Sequence, residues 1–309
     1  MIVTVTPNPS IDRTLRIPPL ERGAMIRASS ATAEAGGKGI NVSRALATEG
    51  VETIAVVPLS EASAALVTGM LGSSTPIEPV TIAGEIRVNI SLVETDGTVT
   101  KVNEPGPPLR DVDVGALLDR TAELGERAAW VVGCGSLPPG APDDLYAQLA
   151  RRLPDGVPMA VDADGPALRA CLGQPLALLK PNRGELEGLV GSELPTLGAV
   201  VDAAKRLIDG GVRTVLVSLG RDGAVVVDTA GPIHGEAPID DAINAVGAGD
   251  ALLAGFLAAG GGPTALSTAI AWSVAACRSP GTRMRPVRDE DCDAVIVHDS
   301  IERGRALEP

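Results

Sequence analysis

Two glycine-rich turns, each running into an apolar helical pattern, carry the residues best suited to chemistry. Gly247-Ala248-Gly249-Asp250 opens onto Ala251-Leu252-Leu253-Ala254-Gly255-Phe256-Leu257. Glycines there would leave backbone N–H groups pointing outward at a helix start, where they can stabilise charge developing on a transferring phosphoryl group. A carboxylate at that end could take the proton of a substrate hydroxyl. Taken alone, an ordinary acidic residue in the first turn of a helix explains Asp250 better. The second turn, Gly36-Gly37-Lys38-Gly39-Ile40-Asn41, lets backbone amides come close to a ligand; the helix start favours an anion and Lys38 adds a point charge. Its spacing is neither that of a P-loop nor G-x-G-x-x-G, and a tight turn with an exposed lysine accounts for the same residues.

A third segment, Lys180-Pro181-Asn182-Arg183-Gly184-Glu185, follows the apolar run Leu176-Ala177-Leu178-Leu179. Asn182 and Glu185 therefore fall just past the carboxyl end of a strand, where open α/β sheets bind ligands. An amide oxygen and a carboxylate three residues apart can hold a hydrated Mg²⁺. The same pair reads as a helix N-cap with its reciprocal Glu, and one pair could serve both purposes. Val217 to Gly223 and Gly133 to Gly140 also follow strand candidates, so they lie on that ligand-binding edge or are plain connections.

The elements that must position these residues alternate. β-branched runs at 2–6, 53–58, 129–133, 157–162, 176–180, 213–218 and 223–228 read as strands. Helical patterns lie at 39–49, 62–71, 110–125, 142–152, 196–209, 248–259 and 264–277. This order predicts βαβ units and a mainly parallel sheet covered on both faces. One stretch breaks the rhythm: 85–94 and 98–102 are strand-like with Asp96-Gly97 at the joint, a hairpin signal. Residues 12–35 also lack a helical pattern. Two β segments inserted into a parallel core predict a small lid over one end of the sheet, or a surface hairpin extending an edge. The polar tail from about Arg303 is expected to fray.

Composition narrows the function classes. Of 309 residues 45% are apolar but only 1% aromatic, so aliphatic side chains must fill the core and no aromatic platform exists for single-stranded nucleic acid. A net charge of −13 repels phosphate backbones. An anionic small molecule would need a local basic pocket working against that field. The four cysteines form no C-x-x-C pair and only two histidines occur, which argues against a zinc site and for small buried thiols in a reducing compartment. No apolar run is long enough to span a bilayer, and the chain starts directly in a strand pattern, so a cytoplasmic protein without nucleic-acid or membrane partners is expected.

The order of these segments resembles the ribokinase-like carbohydrate kinases, the phosphofructokinase B family, and most closely its hexose-phosphate branch of 1-phosphofructokinases and tagatose-6-phosphate kinases. The likeness runs from Ile2 to about Arg285. It is carried by Thr6-Pro7-Asn8-Pro9-Ser10-Ile11-Asp12, Gly36 to Asn41, Gly135-Ser136-Leu137-Pro138-Pro139-Gly140, Lys180 to Glu185, Val217 to Gly220, and Gly247 to Asp250. The resemblance implies a single ribokinase-like domain over 1–309, α/β with a Rossmann-like sheet, its lid formed by 12–35 and 85–105. It implies ATP and Mg²⁺ as cofactors and a sugar phosphate as acceptor. By motif match, Asp250 is the base and Gly247, Ala248 and Gly249 the anion hole. Asp12 and Asn41, beside Gly36 and Gly37, would bind sugar hydroxyls. Lys38, Arg87 and Lys101 would hold the substrate phosphate, with Ser136 another substrate-side residue. Lys180, Asn182 and Glu185 match the nucleotide and Mg²⁺ side, with Ser218 and Gly220 near ATP. Family lid hairpins often pair across a homodimer.

Fructose 1-phosphate is the acceptor this branch implies; tagatose 6-phosphate, fructose 6-phosphate and a non-catalytic sugar-phosphate sensor on the same fold are the alternatives. Two departures bear on that choice. Pro58-Leu59-Ser60-Glu61-Ala62-Ser63-Ala64 stands where the family usually has a Gly-Gly-x-x-Gly turn near the substrate. Ala275 to Thr282 is shorter than the usual border of the adenine pocket, and Pro280 there would end a helix early.

Overall fold

The computed structural model describes residues 1–308. In chain order the elements begin with β1 (Ile2–Val5), β2 (Ser10–Ile17), β3 (Ser30–Gly36), α1 (Lys38–Thr48), β4 (Thr53–Leu59), α2 (Glu61–Leu71), β5 (Ile77–Thr81), β6 (Arg87–Glu94), β7 (Val99–Asn103) and α3 (Asp111–Gly125). They continue with β8 (Trp130–Cys134), α4 (Leu145–Arg152), β9 (Met159–Asp162), α5 (Gly165–Arg169), β10 (Leu178–Leu179), α6 (Arg183–Val190), α7 (Leu197–Asp209) and β11 (Val215–Ser218). The last are β12 (Ala224–Asp228), β13 (Gly231–Glu236), α8 (Ala248–Ala258), α9 (Leu266–Cys277), α10 (Asp289–Asp293) and β14 (Ile296–Val297).

Ten strands form one sheet in the order β14-β13-β12-β11-β10-β9-β8-β1-β4-β5. From β5 through β11 every neighbouring pair is parallel; β12, β13 and β14 add an antiparallel edge. Side-chain alternation explains why both faces need cover. Val3, Val131, Leu179, Val215 and Val225 point into a core shared with α3, α4, α6 and α7. Their neighbours Ile2, Val132, Leu178, Leu216 and Val226 point into a second core with α1, α8 and α9. Aliphatic residues fill both, as the composition requires; Tyr146 and Phe256 are the large fully buried rings. Among the described residues no helix is long and apolar enough to cross a membrane.

A separate four-stranded sheet, β3-β2-β6-β7, is built from the segments that break the rhythm. β2 pairs antiparallel with β3 and parallel with β6, and β6 pairs antiparallel with β7. Its register puts Ser10, Asp12 and Thr14 beside Arg87, Asn89 and Ser91 on one face. Ile11, Leu15 and Ile17 share the other face with Val88, Ile90 and Leu92.

Several details differ from the sequence expectations. β5 and β13 have no counterpart among the strand candidates; each contains Pro, which removes a ladder donor. The tail is not frayed: Leu307 is buried, Arg305 pairs with Glu236 and Asp222, and Arg183 Nη1 donates to the Glu308 carbonyl at 2.7 Å. The cysteines are free, but only Cys134 and Cys171 are buried; Cys292 is exposed. At 58–64, β4 runs almost directly into α2 through Ser60, whose Oγ accepts the Ser63 N–H at 3.2 Å. α9 does end before Pro280, at Cys277.

Candidate active site

The residues singled out in the sequence gather at the carboxyl ends of the parallel strands. β9 and β10 are in register through Leu178–Ala160 and Leu179–Val161, so the next residues, Asp162 and Lys180, stand side by side as the strands end. Lys180 Nζ lies 2.9 Å from Asp162 Oδ2, an ion pair without an aligned hydrogen bond. Lys38, the first residue of α1, donates to Asp162 Oδ1 at 2.6 Å and lies 3.6 Å from Glu185 Oε1. Burial alone would raise the Asp162 carboxyl, yet the two ammonium groups hold it below the usual carboxylate range. Burial alone would lower Lys38; Asp162 and Glu185 outweigh that and raise it.

Asp250 sits in the first turn of α8, 9% exposed. Gly247 precedes the helix with φ +83°, a left-handed conformation that L side chains avoid, and no side chain caps the helix start. The Ala248 N–H makes a long 3.3 Å bond to the Ala245 carbonyl, and the other N–H groups of that turn remain for a ligand. Lys180 Nζ approaches the same turn, 3.7 Å from where a Cβ on Gly249 would stand. Asn41 Nδ2 donates to Asp250 Oδ2 at 2.8 Å. Burial, then the neighbouring Asp162 carboxylate, push the Asp250 carboxyl up to about 6, against the pull of Asn41, Lys38 and Lys180. A carboxylate poised there is a base at neutral pH.

Asp12 receives the Ser10 hydroxyl at 2.7 Å and Asn89 Nδ2 at 3.0 Å. Gly36 lies so close that a Cβ would overlap the Asp12 carboxylate, and Gly37, at φ +121°, leaves no room beside Thr6. Around this point Thr6 Oγ1, Asn8 Oδ1, Arg87 Nε and Asn89 Oδ1 are buried without a hydrogen-bond partner. Such a cluster of unmet polar atoms is what a polyhydroxylated ligand would satisfy. Arg87 Nη1 donates to the Glu104 carbonyl at 3.3 Å. Burial pulls its guanidinium down, against Asp12 and Asp164.

Asn182 and Glu185 cap α6 reciprocally, each at 2.8 Å. That bond set uses Asn182 Oδ1 and Glu185 Oε2, leaving Oε1 toward Lys38. No group of three His, Cys, Asp or Glu side chains able to hold a metal occurs among the described residues. The donors present, the Asn182 amide oxygen and the Glu185 carboxylate, are of the oxygen type that suits a Mg²⁺ held mostly by water and phosphate oxygens. Ser218 bridges to Asn182 at the end of β11, and Gly220, with φ +62°, faces open space. Ser136 follows β8 in a loop fastened by Tyr146, whose hydroxyl donates to the Gly135 carbonyl at 2.8 Å.

Two placements sharpen the sequence reading. Lys38 has its ammonium on Asp162 and Glu185 rather than beside Arg87. Lys101 pairs with Ser91, four residues beyond Arg87, so it stands exposed about 13 Å further along the sheet. Asp162, Asn8 and Asn89 were missed as site residues. The signal for Asp162 was available: an apolar strand pattern ending in an acid, beside another ending in Lys180.

Comparisons with known proteins identify what the chain is similar to. The family model described as pfkB family carbohydrate kinase matches residues 6–283. The 1-phosphofructokinase of Xanthomonas campestris pv. campestris is 36% identical over 83% of this chain and 83% of its own. That of Haloferax volcanii is 37% identical over 84% of each. The crystal structure of Escherichia coli phosphofructokinase-2 in complex with potassium superposes with a TM-score of 0.85 and 29% identity, covering 94% of this chain and 96% of that one.

Proposed function

The chain belongs to the pfkB family of carbohydrate kinases, and from that premise we propose that it transfers the γ-phosphoryl group of ATP to fructose 1-phosphate, giving fructose 1,6-bisphosphate. The observation that carries the reading is Asp250, a buried carboxylate raised to about 6 at the uncapped start of α8, within reach of a lysine pair. The 1-phosphofructokinase relatives support the acceptor.

In this reading Asp250 takes the proton of the attacking hydroxyl. The amides of Gly247, Ala248 and Gly249 face the charge that gathers on the transferring group. Asp12 and Asn41 orient the sugar hydroxyls in the space that Gly36 and Gly37 leave free. Arg87 meets the phosphate already on the acceptor, with Ser136 a further substrate-side residue; Lys101 shares the sheet face but lies about 13 Å beyond. Lys38 stands between the two anions and Lys180 supports the anion hole from the nucleotide side, where Ser218 and Gly220 line the donor. Mg²⁺, held through Asn182 and Glu185, would neutralise the β- and γ-phosphates. The four-stranded sheet, from segments 12–35 and 85–105, acts as the lid of a single kinase domain and excludes water that would otherwise hydrolyse ATP.

ADP release measured over a panel of ketohexose phosphates tests the proposal. The highest kcat/KM is expected on fructose 1-phosphate. A preference for tagatose 6-phosphate or fructose 6-phosphate would reassign the acceptor. Binding without turnover on every acceptor would make the protein a sensor.

A further inference from the structure

Arg44 lies on α1 three residues after Asn41, so the two side chains share a helix face. It is 9% exposed, rare for an arginine, and it touches none of the residues to which the proposed reaction gives a role except Asn41. Its Nη2 donates to Asn41 Oδ1 at 2.6 Å. The same guanidinium donates to Thr282 Oγ1 at 2.7 Å, to the Thr282 carbonyl at 3.3 Å and to the Ala35 carbonyl at 3.4 Å. Thr282 Oγ1 in turn donates to Glu34 Oε2 at 2.8 Å. A continuous chain of polar contacts thus runs from Asp250 through Asn41, Arg44 and Thr282 to Glu34 on β3 of the small sheet.

The direction of each bond follows from what the groups can do. An asparagine amide has one accepting end and one donating end of nearly equal shape. A guanidinium only donates and an ionised carboxylate only accepts. With Arg44 on Oδ1, Asn41 must present Nδ2 to Asp250. A flipped amide would set donor against donor at Arg44 and acceptor against acceptor at Asp250, losing both bonds together. Thr282 packs against the turn that starts the helix carrying the base: its carbonyl lies 3.2 Å from where a Cβ on Gly247 would stand.

We propose that Arg44 is a positioning residue for phosphoryl transfer: it holds the Asn41 amide in the one orientation that donates to Asp250, and fastens that amide to the small sheet through Thr282 and Glu34. The inference rests on the role of Asp250 proposed above. Charged groups around Asp250 come from three other elements: Asp162 from β9, Lys38 and Arg44 from α1, and Lys180 from the end of β10. Removing Arg44 takes away one cation and frees the amide, and both changes disfavour the ionised base.

Arg44→Met is expected to lower kcat by about tenfold or more while KM for ATP stays within about twofold. The acid limb of kcat against pH should move to higher pH. A carbon-13 titration of the Asp250 carboxyl, which needs no turnover, should move the same way from about 6. In an Asn41→Ala background Arg44→Met should cost little more, because one residue acts through the other. Thr282→Val, close in shape, should give a smaller loss of the same kind and covers the case in which Arg44→Met does not fold. An unchanged carboxyl titration, or additive losses in the double variant, would overturn the role of Arg44. Absence of turnover in the unsubstituted protein would instead strike the kinase reading and leave the carboxyl titration to decide this one.

Discussion

Asp250 carries opposite consequences for activity and for stability. Its carboxyl titrates at about 6 in the fold against 3.8 as the ordinary value, so between those values the folded chain holds a proton the unfolded chain has released. Stability therefore falls as pH rises through that window, and the cost, on the order of 2–3 kcal/mol, is complete above it. Asp250→Asn should abolish the base, lowering kcat by about a hundredfold or more while substrate binding survives. The same variant should resist denaturant better than the parent at pH 8 and lose that advantage at pH 4. An equal difference at both pH values would mean that the ionised base is not the source. Asp250 and Asn41 were legible in the sequence because glycine-rich helix starts are local signals. Asp162 was less so: its partners Lys38 and Lys180 are distant in sequence, and only strand register brings them together. Arg44 had no signal, since a basic residue inside a helix normally points to solvent.

The C-terminal strap shows what an element can do without regular structure. Arg305 donates two bonds to Glu236, at 2.9 and 2.6 Å, and one to Asp222 at 3.2 Å, while the Glu308 N–H holds the other Asp222 oxygen at 2.8 Å. Asp222 ends the turn that begins at Gly220, on the proposed nucleotide side. Hydrogen bonds from Arg305 hold Glu236 down to about 2, well under its ordinary 4.5. Its stabilisation is therefore fully present above about 4.5 and lost as pH falls toward 2, an effect on the order of 2–3 kcal/mol. Arg305→Met should destabilise the protein by about that amount at pH 7. The gap between variant and parent should close as the solution is acidified across this window, as denaturation followed at several pH values would read. A gap that stays constant down to pH 2 would assign the loss to packing of the arginine stem. The strap was not legible because Arg303 to Glu308 has the composition of a loose end. Its order comes from carboxylates far away in the chain and from burial of Leu307. The parallel strands, by contrast, were legible as uninterrupted aliphatic runs, since both their faces are buried.

The whole molecule must bind two anions while carrying a net charge of −13. It does so by gathering Lys38, Lys180 and Arg87 at one end of the sheet, two of them already shared with Asp162, so the local field is set by the site and not by the surface. The same charge constrains assembly. On the small sheet the face opposite Asp12 and Arg87 is mostly aliphatic around an exposed Arg13: Leu15, Ile90 and Leu92 are only half-buried and Val102 is 54% exposed. A homodimer joined through that face would cover these side chains. Each copy would bring its own −13, so the two repel through solvent while the aliphatic face attracts. Salt screens the first and leaves the second. Light scattering should therefore find a species of twice 31.3 kDa whose dissociation constant falls as ionic strength rises. Leu92→Asp should return it to the monomer while sparing the Asp12 face of the same strands. A dimer that weakens with salt would have to be held by ion pairs instead, and a monomeric parent protein would remove the aliphatic face as an interface.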